Sequence, residues 1–489
     1  MTSWPSAFAL PDASAGLPVF LRIARAIADE VRRGRLGPGA RLPGSRELAR
    51  SLGVHRNTAL AAYRELTAEG WIATEPARGT FVSGDLPDRP ARPFARSAAA
   101  RAEVPGRPGF DFDARLSVAH DAPDRRLMSM RGGQPDLRLV PIDALGRAYR
   151  RALRASGRAA LGYGDPRGHP RLRAALAAML SATRGLAASA DDVLVTRGSQ
   201  MAFDLLARTL VSPGDVVVVE AFGYRPAWRV LTLAGAKLVS VPVDERGANV
   251  DAIERVTRSQ RVRAIYLTPH HQYPTTAVLA PGRRLALLEL ARAKRIAVIE
   301  DDYDHEFHYD GRPVLPLASA DRSGVVVYIG SLSKILAPGI RVGYLVAPRP
   351  LVDALTALRG HVDRQGDQVV EHAVAELLED GEVQRHARRA RAAYLERRDV
   401  LADALEGSLG DTVSFTRPPG GTALWTKVDP RVDVERWAER AREVGVDFQT
   451  ARTFTFDGRA RPFARFGFAS LDPDELRRAV TKLRTSLPL

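Results

Sequence analysis

Apolar positions between residues 18 and 82 recur at helical spacing. Val19, Ile23, Ile27 and Val31 fall on one face and predict a helix over 19–31. Gly34, Gly37, Pro38 and Gly39 end it. A second, short helix is expected over Glu47 to Leu52, with Ser45 as its N-cap. Gly53 makes a tight turn, and a third helix runs from Asn57 or Thr58 to Glu69 and stops at Gly70. Trp71 to Val82 reads as two short β runs around a turn that carries Arg78 and Gly79. Two short helices joined at a glycine turn and followed by a β hairpin describe a winged helix-turn-helix.

From residue 83 the pattern fades. Pro87, Pro90, Pro93, Pro105 and Pro108 punctuate a stretch without periodicity, which reads as a linker. From Met128 strands and helices alternate. Strands are expected at 193–196, 216–220, 238–243, 264–268, 297–300, 325–329 and 342–347, with helices between most of them. Near-continuous apolar strands in βα alternation predict a mostly parallel sheet covered on both faces, an α/β fold. The last part is mixed α/β, with strands near Val413, Leu424 and Phe466. The expected domains are 1–84, a linker over 85–127, and 128–489, with a small subdomain at about 360–489.

At 489 residues the chain is longer than one ordinary domain. A hydrophobic fraction of 45% and a charged fraction of 26% suit a globular protein. With no cysteine, disulfides and thiolate metal sites are excluded. The first residues, MTSWPSAFALPDASAGLP, have no basic region and no sustained apolar core, so no signal peptide is expected. No apolar run approaches the roughly 18 residues that would span a bilayer. These features predict a cytoplasmic protein with no membrane partner. The net charge of +15 suits a nucleic-acid partner, and an arginine-rich coding bias accounts for it equally well.

Basic residues number 72, yet only five are lysines: Lys237, Lys294, Lys334, Lys427 and Lys482. Lys334 follows the apolar run Val325 to Ile329 and the small residues Gly330, Ser331 and Ser333. An amine can lose its proton and form a Schiff base, which a guanidinium cannot. Ligands of parallel sheets bind at the carboxyl ends of the strands, and two more features sit at such ends. Ile296 to Tyr303 carries a strand into Asp301, and Thr196-Arg-Gly-Ser-Gln200 leads from a strand into an apolar helix. Gly-Ser at a helix start is a phosphate cradle. A lysine, a carboxylate and a phosphate cradle are what pyridoxal 5'-phosphate (PLP) requires.

The segment LPGSRELARSLGVHRNTALAAYRELTAEGWIATEPARGTFV resembles the GntR family of bacterial repressors. Residues 128–489 resemble fold-type-I aminotransferases, most specifically in IEDDYDHEFHYDGRPVLPL and GSLSKILAPGIRVGYLVAP. The whole chain resembles the MocR/GabR-type regulators, which fuse the two parts. The resemblance implies that Arg46, His55, Arg56, Asn57 and Thr58 face double-stranded operator DNA and that Arg78 lies on the wing. It implies that Lys334 forms the Schiff base with PLP, that Asp301 pairs with the pyridinium nitrogen and that Tyr303 hydrogen-bonds the phenolic oxygen. It implies that Arg341 holds the phosphate, with Ser331 or Ser333 and with Gly198, Ser199 and Gln200, and that Tyr224 stacks on the ring. It implies that Arg465 clamps an effector carboxylate and that Tyr163 reaches the phosphate of the partner subunit in a homodimer.

His305 and His308 lie beside Asp304 and Glu306, but the matching family segment has no metal role and no metal is expected. The family's asparagine just before Pro274 is Tyr273 here, and the second effector arginine of GABA-type regulators is Pro226, which argues against GABA as effector. The implied function is a PLP-dependent transcriptional regulator answering to an amino-acid-like effector or to PLP itself. A working aminotransferase with an accessory DNA-binding domain is the alternative, and a PLP-binding scaffold without effector chemistry is a third reading.

Overall fold

In the computed structural model of the chain, residues 17–76, 78–86, 109–111, 126–311 and 314–488 are described. The expected linker, 85–127, falls almost wholly outside them. The chain divides into two compact units, Met1–His120 and Asp121–Leu489.

The first unit holds helices α1 (Val19–Arg32), α2 (Ser45–Ser51) and α3 (Arg56–Ala68) and a hairpin of β1 (Ile72–Glu75) and β2 (Gly79–Val82). The apolar stripe of α1 buries Ile23, Ile27 and Val31 against Leu48, Ala59, Leu66 and Trp71. The Tyr63 hydroxyl donates to the Pro43 carbonyl at 2.6 Å and ties α3 to the entry of α2. Ser45 is not the N-cap of α2. That place falls to Gly44, and no side chain caps the helix. Helix α3 starts one residue earlier than expected because the His55 ring accepts a hydrogen bond from the Asn57 amide and caps it.

The second unit is built on a seven-stranded sheet of β3 (Val193–Thr196), β4 (Val216–Glu220), β5 (Lys237–Val241), β6 (Val262–Leu267), β7 (Ala297–Asp302), β8 (Val326–Ser331) and β9 (Gly343–Val346), in the spatial order β3-β9-β8-β7-β6-β4-β5. The pairs β8-β7, β7-β6, β6-β4 and β4-β5 are parallel. Strand β9 runs antiparallel to both its neighbours. The strands are apolar on both faces, as a sheet buried on both sides requires. Val217, Val219, Leu345 and Ile329 pack one way and Val218, Ile265 and Val298 the other. A smaller antiparallel sheet pairs Ala423–Val428 with Phe463–Gly467 near the C-terminus, and its apolar face shares a core with the long helix Glu382–Leu409. Among the described residues, no helix is long and apolar enough to cross a membrane.

Candidate functional site

Parallel strands β6 and β7 end side by side, and the chain beyond each end carries the polar residues of the site. Because side chains alternate across a strand, Asp301 and Asp302 at the end of β7 have different surroundings. Asp301 is buried and accepts a hydrogen bond from the Tyr266 hydroxyl of β6 at 3.0 Å. Burial pushes its carboxyl up to about 7, with the Tyr266 hydrogen bond working the other way. Asp302 accepts from the Tyr328 hydroxyl at 2.7 Å and pairs with His305 Nδ1 at 3.1 Å and Arg184 Nε at 3.7 Å. Burial opposes its ionisation, yet His305, His270 and Arg184 together hold it well below the usual carboxylate range.

Lys334 lies in the turn that follows β8 and donates to the Gly133 carbonyl. Burial pushes its amine down to about 8, the Arg465 charge adds to this, and Asp304 and Asp301 oppose it. An amine near 8 is partly neutral at physiological pH, the state a nucleophilic lysine needs.

Beside the lysine, helix α4 (Ser199–Leu210) begins at Gly198, whose φ of 76° lies in the left-handed region. No side chain caps this helix, so its first amides face outward with the positive end of the helix dipole. A Cβ on Gly198 would stand 2.9 Å from the Arg341 guanidinium, and one on Gly343 would stand 2.7 Å from the Gly198 backbone. Arg341 donates to the Arg197 carbonyl at 2.6 Å. Ser331 pairs with Gly343 across β8 and β9, and the Ser331 hydroxyl accepts the Ser333 amide at 3.1 Å. The Gln200 side chain donates to the Pro226 carbonyl at 3.2 Å. Gly198, Ser199, Arg341 and Ser331 therefore gather at one helix start, an anion cradle in its donor set.

An aromatic wall stands over these groups. Tyr273 meets Tyr224 and Tyr303 edge to face, each at 5.8 Å between ring centres. Burial, and then the Asp301 charge, raises the Tyr224 hydroxyl to about 12. The Tyr303 hydroxyl donates to the His271 carbonyl at 3.1 Å. Arg465, 1% exposed, lies over the Tyr273 ring at 4.8 Å, with Nε and Nη1 lacking any hydrogen-bond partner. Tyr273, a departure from the family pattern, is thus the floor on which the guanidinium rests. Gly132 makes room for it, since a Cβ there would overlap the guanidinium.

The structure brings together Lys334, Asp301, Tyr303, Tyr224, Arg465, Arg341, Ser331, Ser333 and the Gly198–Gln200 turn. Tyr163 is 82% exposed, with Arg364 over its ring at 4.2 Å. Sequence reasoning missed Tyr266, Gly132 and Gly133. The Gly132-Gly133 pair was a readable signal of close backbone approach, whereas Tyr266 sits inside an apolar strand with nothing to mark it. In the first unit, Arg46, His55, Arg56 and Asn57 are exposed and Thr58 is half-buried. Arg78 is exposed in the hairpin turn and pairs with Glu75.

A deprotonatable lysine, a buried carboxylate, an uncapped helix start with an arginine, and an orphaned buried guanidinium fit PLP bearing a carboxylate-containing partner. Residues 127–483 match the family model described as aminotransferase class I and II, and residues 20–82 match that of bacterial regulatory proteins of the gntR family. The chain is 32% identical to the probable rhizopine catabolism regulatory protein MocR of Rhizobium meliloti, over 97% of this chain and 95% of that protein. It is 30% identical to the pyridoxine biosynthesis transcriptional regulator PdxR of Corynebacterium glutamicum, over 94% of each. Among solved structures, the α-aminoadipate aminotransferase LysN of Thermus thermophilus matches 74% of this chain and 92% of its own, with 30% identity and a TM-score of 0.69.

Proposed function

The chain belongs to the class I and II aminotransferase family and, through its gntR-family domain, to the MocR-type transcriptional regulators, and on that premise we propose that it binds PLP at Lys334 and answers to an amino-acid-like effector or to PLP itself. Bound there, PLP supplies an aldehyde that condenses with amines and a ring that withdraws electrons. Lys334 offers the amine. Asp301, held in place by Tyr266, offers the negative charge for a pyridinium nitrogen. The α4 amides, Arg341 and Ser331 would hold its phosphate, and Tyr224 and Tyr303 would line its ring.

The observation that carries the effector reading is Arg465. A buried guanidinium with two unpartnered nitrogens is costly, and a carboxylate satisfies it bidentately. An effector with both a primary amine and a carboxylate meets Lys334 and Arg465 together. Its differential affinity for two arrangements of the protein then shifts DNA binding. The exposed α3 start, Arg56 and Asn57, reads base edges from the major groove. Tyr163, so exposed on one chain, suits a homodimer in which it reaches the partner's phosphate. The protein acts in the cytoplasm, where its DNA is. Following the cofactor's visible band and operator affinity together during amino-acid titration tests this reading. Matched amines lacking a carboxylate should change neither.

A further inference from the structure

Four histidines converge behind the cofactor residues. His270 and His271 follow β6, and His305 and His308 follow β7. All four are at least nine-tenths buried. Ring centres of His270 lie 4.3 Å from His271, 4.6 Å from His305 and 6.0 Å from His308. His271 and His308 stack at 5.8 Å. Both ring nitrogens of His270, Nε2 of His271 and Nδ1 of His308 have no hydrogen-bond partner. Buried polar atoms are nearly always satisfied, so such a group of orphaned nitrogens in one place asks for a ligand.

We infer that His270, His271 and His308 form a binding site for a divalent transition-metal ion of the zinc class. One ligand nitrogen from each lies within 4.8 Å of the other two, and small ring rotations bring such a set to the ~2.0–2.1 Å of zinc–imidazole bonds. Three imidazoles select zinc, nickel or copper over magnesium or calcium. His271 also carries the outer partner that metal-bound histidines use: its Nδ1 lies 2.8 Å from Asp304 Oδ1, leaving Nε2 for the ion. The loop that presents His270 and His271 is fixed in advance. Gln272 donates to the Phe222 carbonyl at 2.8 Å, and Thr268 Oγ1 accepts the Tyr273 amide at 2.8 Å. A second group, His270 with Asp302 and His305, is also close enough. Its Asp302 is already engaged by Tyr328, His305 and Arg184, so the all-histidine set is the better site. This departs from the expectation that the segment has no metal role.

The test uses tag-free, full-length protein treated with chelator and titrated with Co2+, whose visible spectrum reports its ligands. About one equivalent should bind, and Zn2+ should displace it. His308→Gln and His270→Gln should each weaken uptake by roughly tenfold or more, and Asp304→Asn by about 10–100-fold. His305→Gln should bind as the parent does. Circular dichroism checks that each variant folds, and a Zn2+-induced rise in melting temperature, present in the parent and lost in His308→Gln, gives a second reading. No uptake by the parent, or equal uptake by parent and His308→Gln, would overturn the inference.

Discussion

The Tyr266 hydroxyl donates to Asp301 Oδ2 at 3.0 Å, while the adjacent Asp302 takes its hydrogen bond from Tyr328 at 2.7 Å. Two neighbouring carboxylates on one strand thus serve opposite sides of the sheet. Asp301 faces the lysine site, and Asp302 is locked into an ion network with His305 and Arg184. Asp301→Asn should weaken PLP binding while leaving the fold intact. Asp302→Asn should cost about 3 kcal/mol of stability, the scale for breaking a buried pair, with smaller effect on PLP affinity. Spectroscopic titration and thermal melting of both variants separate the two roles. A reversed order would move the pyridinium partner to Asp302.

Lys334 and Asp301 destabilise the cofactor-free protein at neutral pH. The Lys334 amine falls from 10.5 to about 8 on folding, so between pH 8 and 10.5 the unfolded chain holds more protons and stability rises with pH. Asp301 rises from 3.8 to about 7, so across that window the folded chain holds more protons and stability falls as pH rises. Lys334→Met should therefore stabilise the cofactor-free protein below pH 8 by roughly 3 kcal/mol, at about 1.4 kcal/mol per pKa unit. The gain should vanish above pH 10.5. Melting curves of both proteins across pH 6 to 11 check this, and a less stable Lys334→Met at pH 7 would contradict it.

Arg56 stands exposed at the start of α3. Arg56→Ala should weaken operator binding by about 1–3 kcal/mol and relax specificity at one base pair. Equal loss on every sequence, with a shallower salt dependence, would make Arg56 a phosphate contact.

Arg465→Ala should abolish the response to amino-acid effectors and preserve PLP binding, because its guanidinium lies over Tyr273 and the phosphate is assigned to Gly198, Ser199, Arg341 and Ser331. A titration that follows operator affinity reads this directly. A normal response would place the carboxylate clamp elsewhere.

Much of this was legible in one sequence. The apolar runs located every strand of the large sheet, since strands buried on both faces leave no polar interruption to confuse the reading. Lys334 stood out because arginine fills nearly every other basic position. Strand ends and caps were less legible. The predicted run 297–300 stopped short of Asp301 and Asp302, which complete β7 although charged, because tertiary partners overrode their low strand propensity. Histidine is not among the usual capping residues, so the His55 cap was unreadable locally. The four-histidine cluster joins residues some thirty-five positions apart, and only the parallel pairing of β6 with β7 brings them together.

Attachment of PLP to Lys334 is directly testable, because the chain has only five lysines. Full-length protein is saturated with PLP, reduced with borohydride, digested and mapped by mass spectrometry. A pyridoxyl group on Lys334, absent from Lys334→Arg, is the predicted result. A pyridoxyl group on Lys237, Lys294, Lys427 or Lys482 instead, or none at all, would mean that Lys334 does not carry the cofactor.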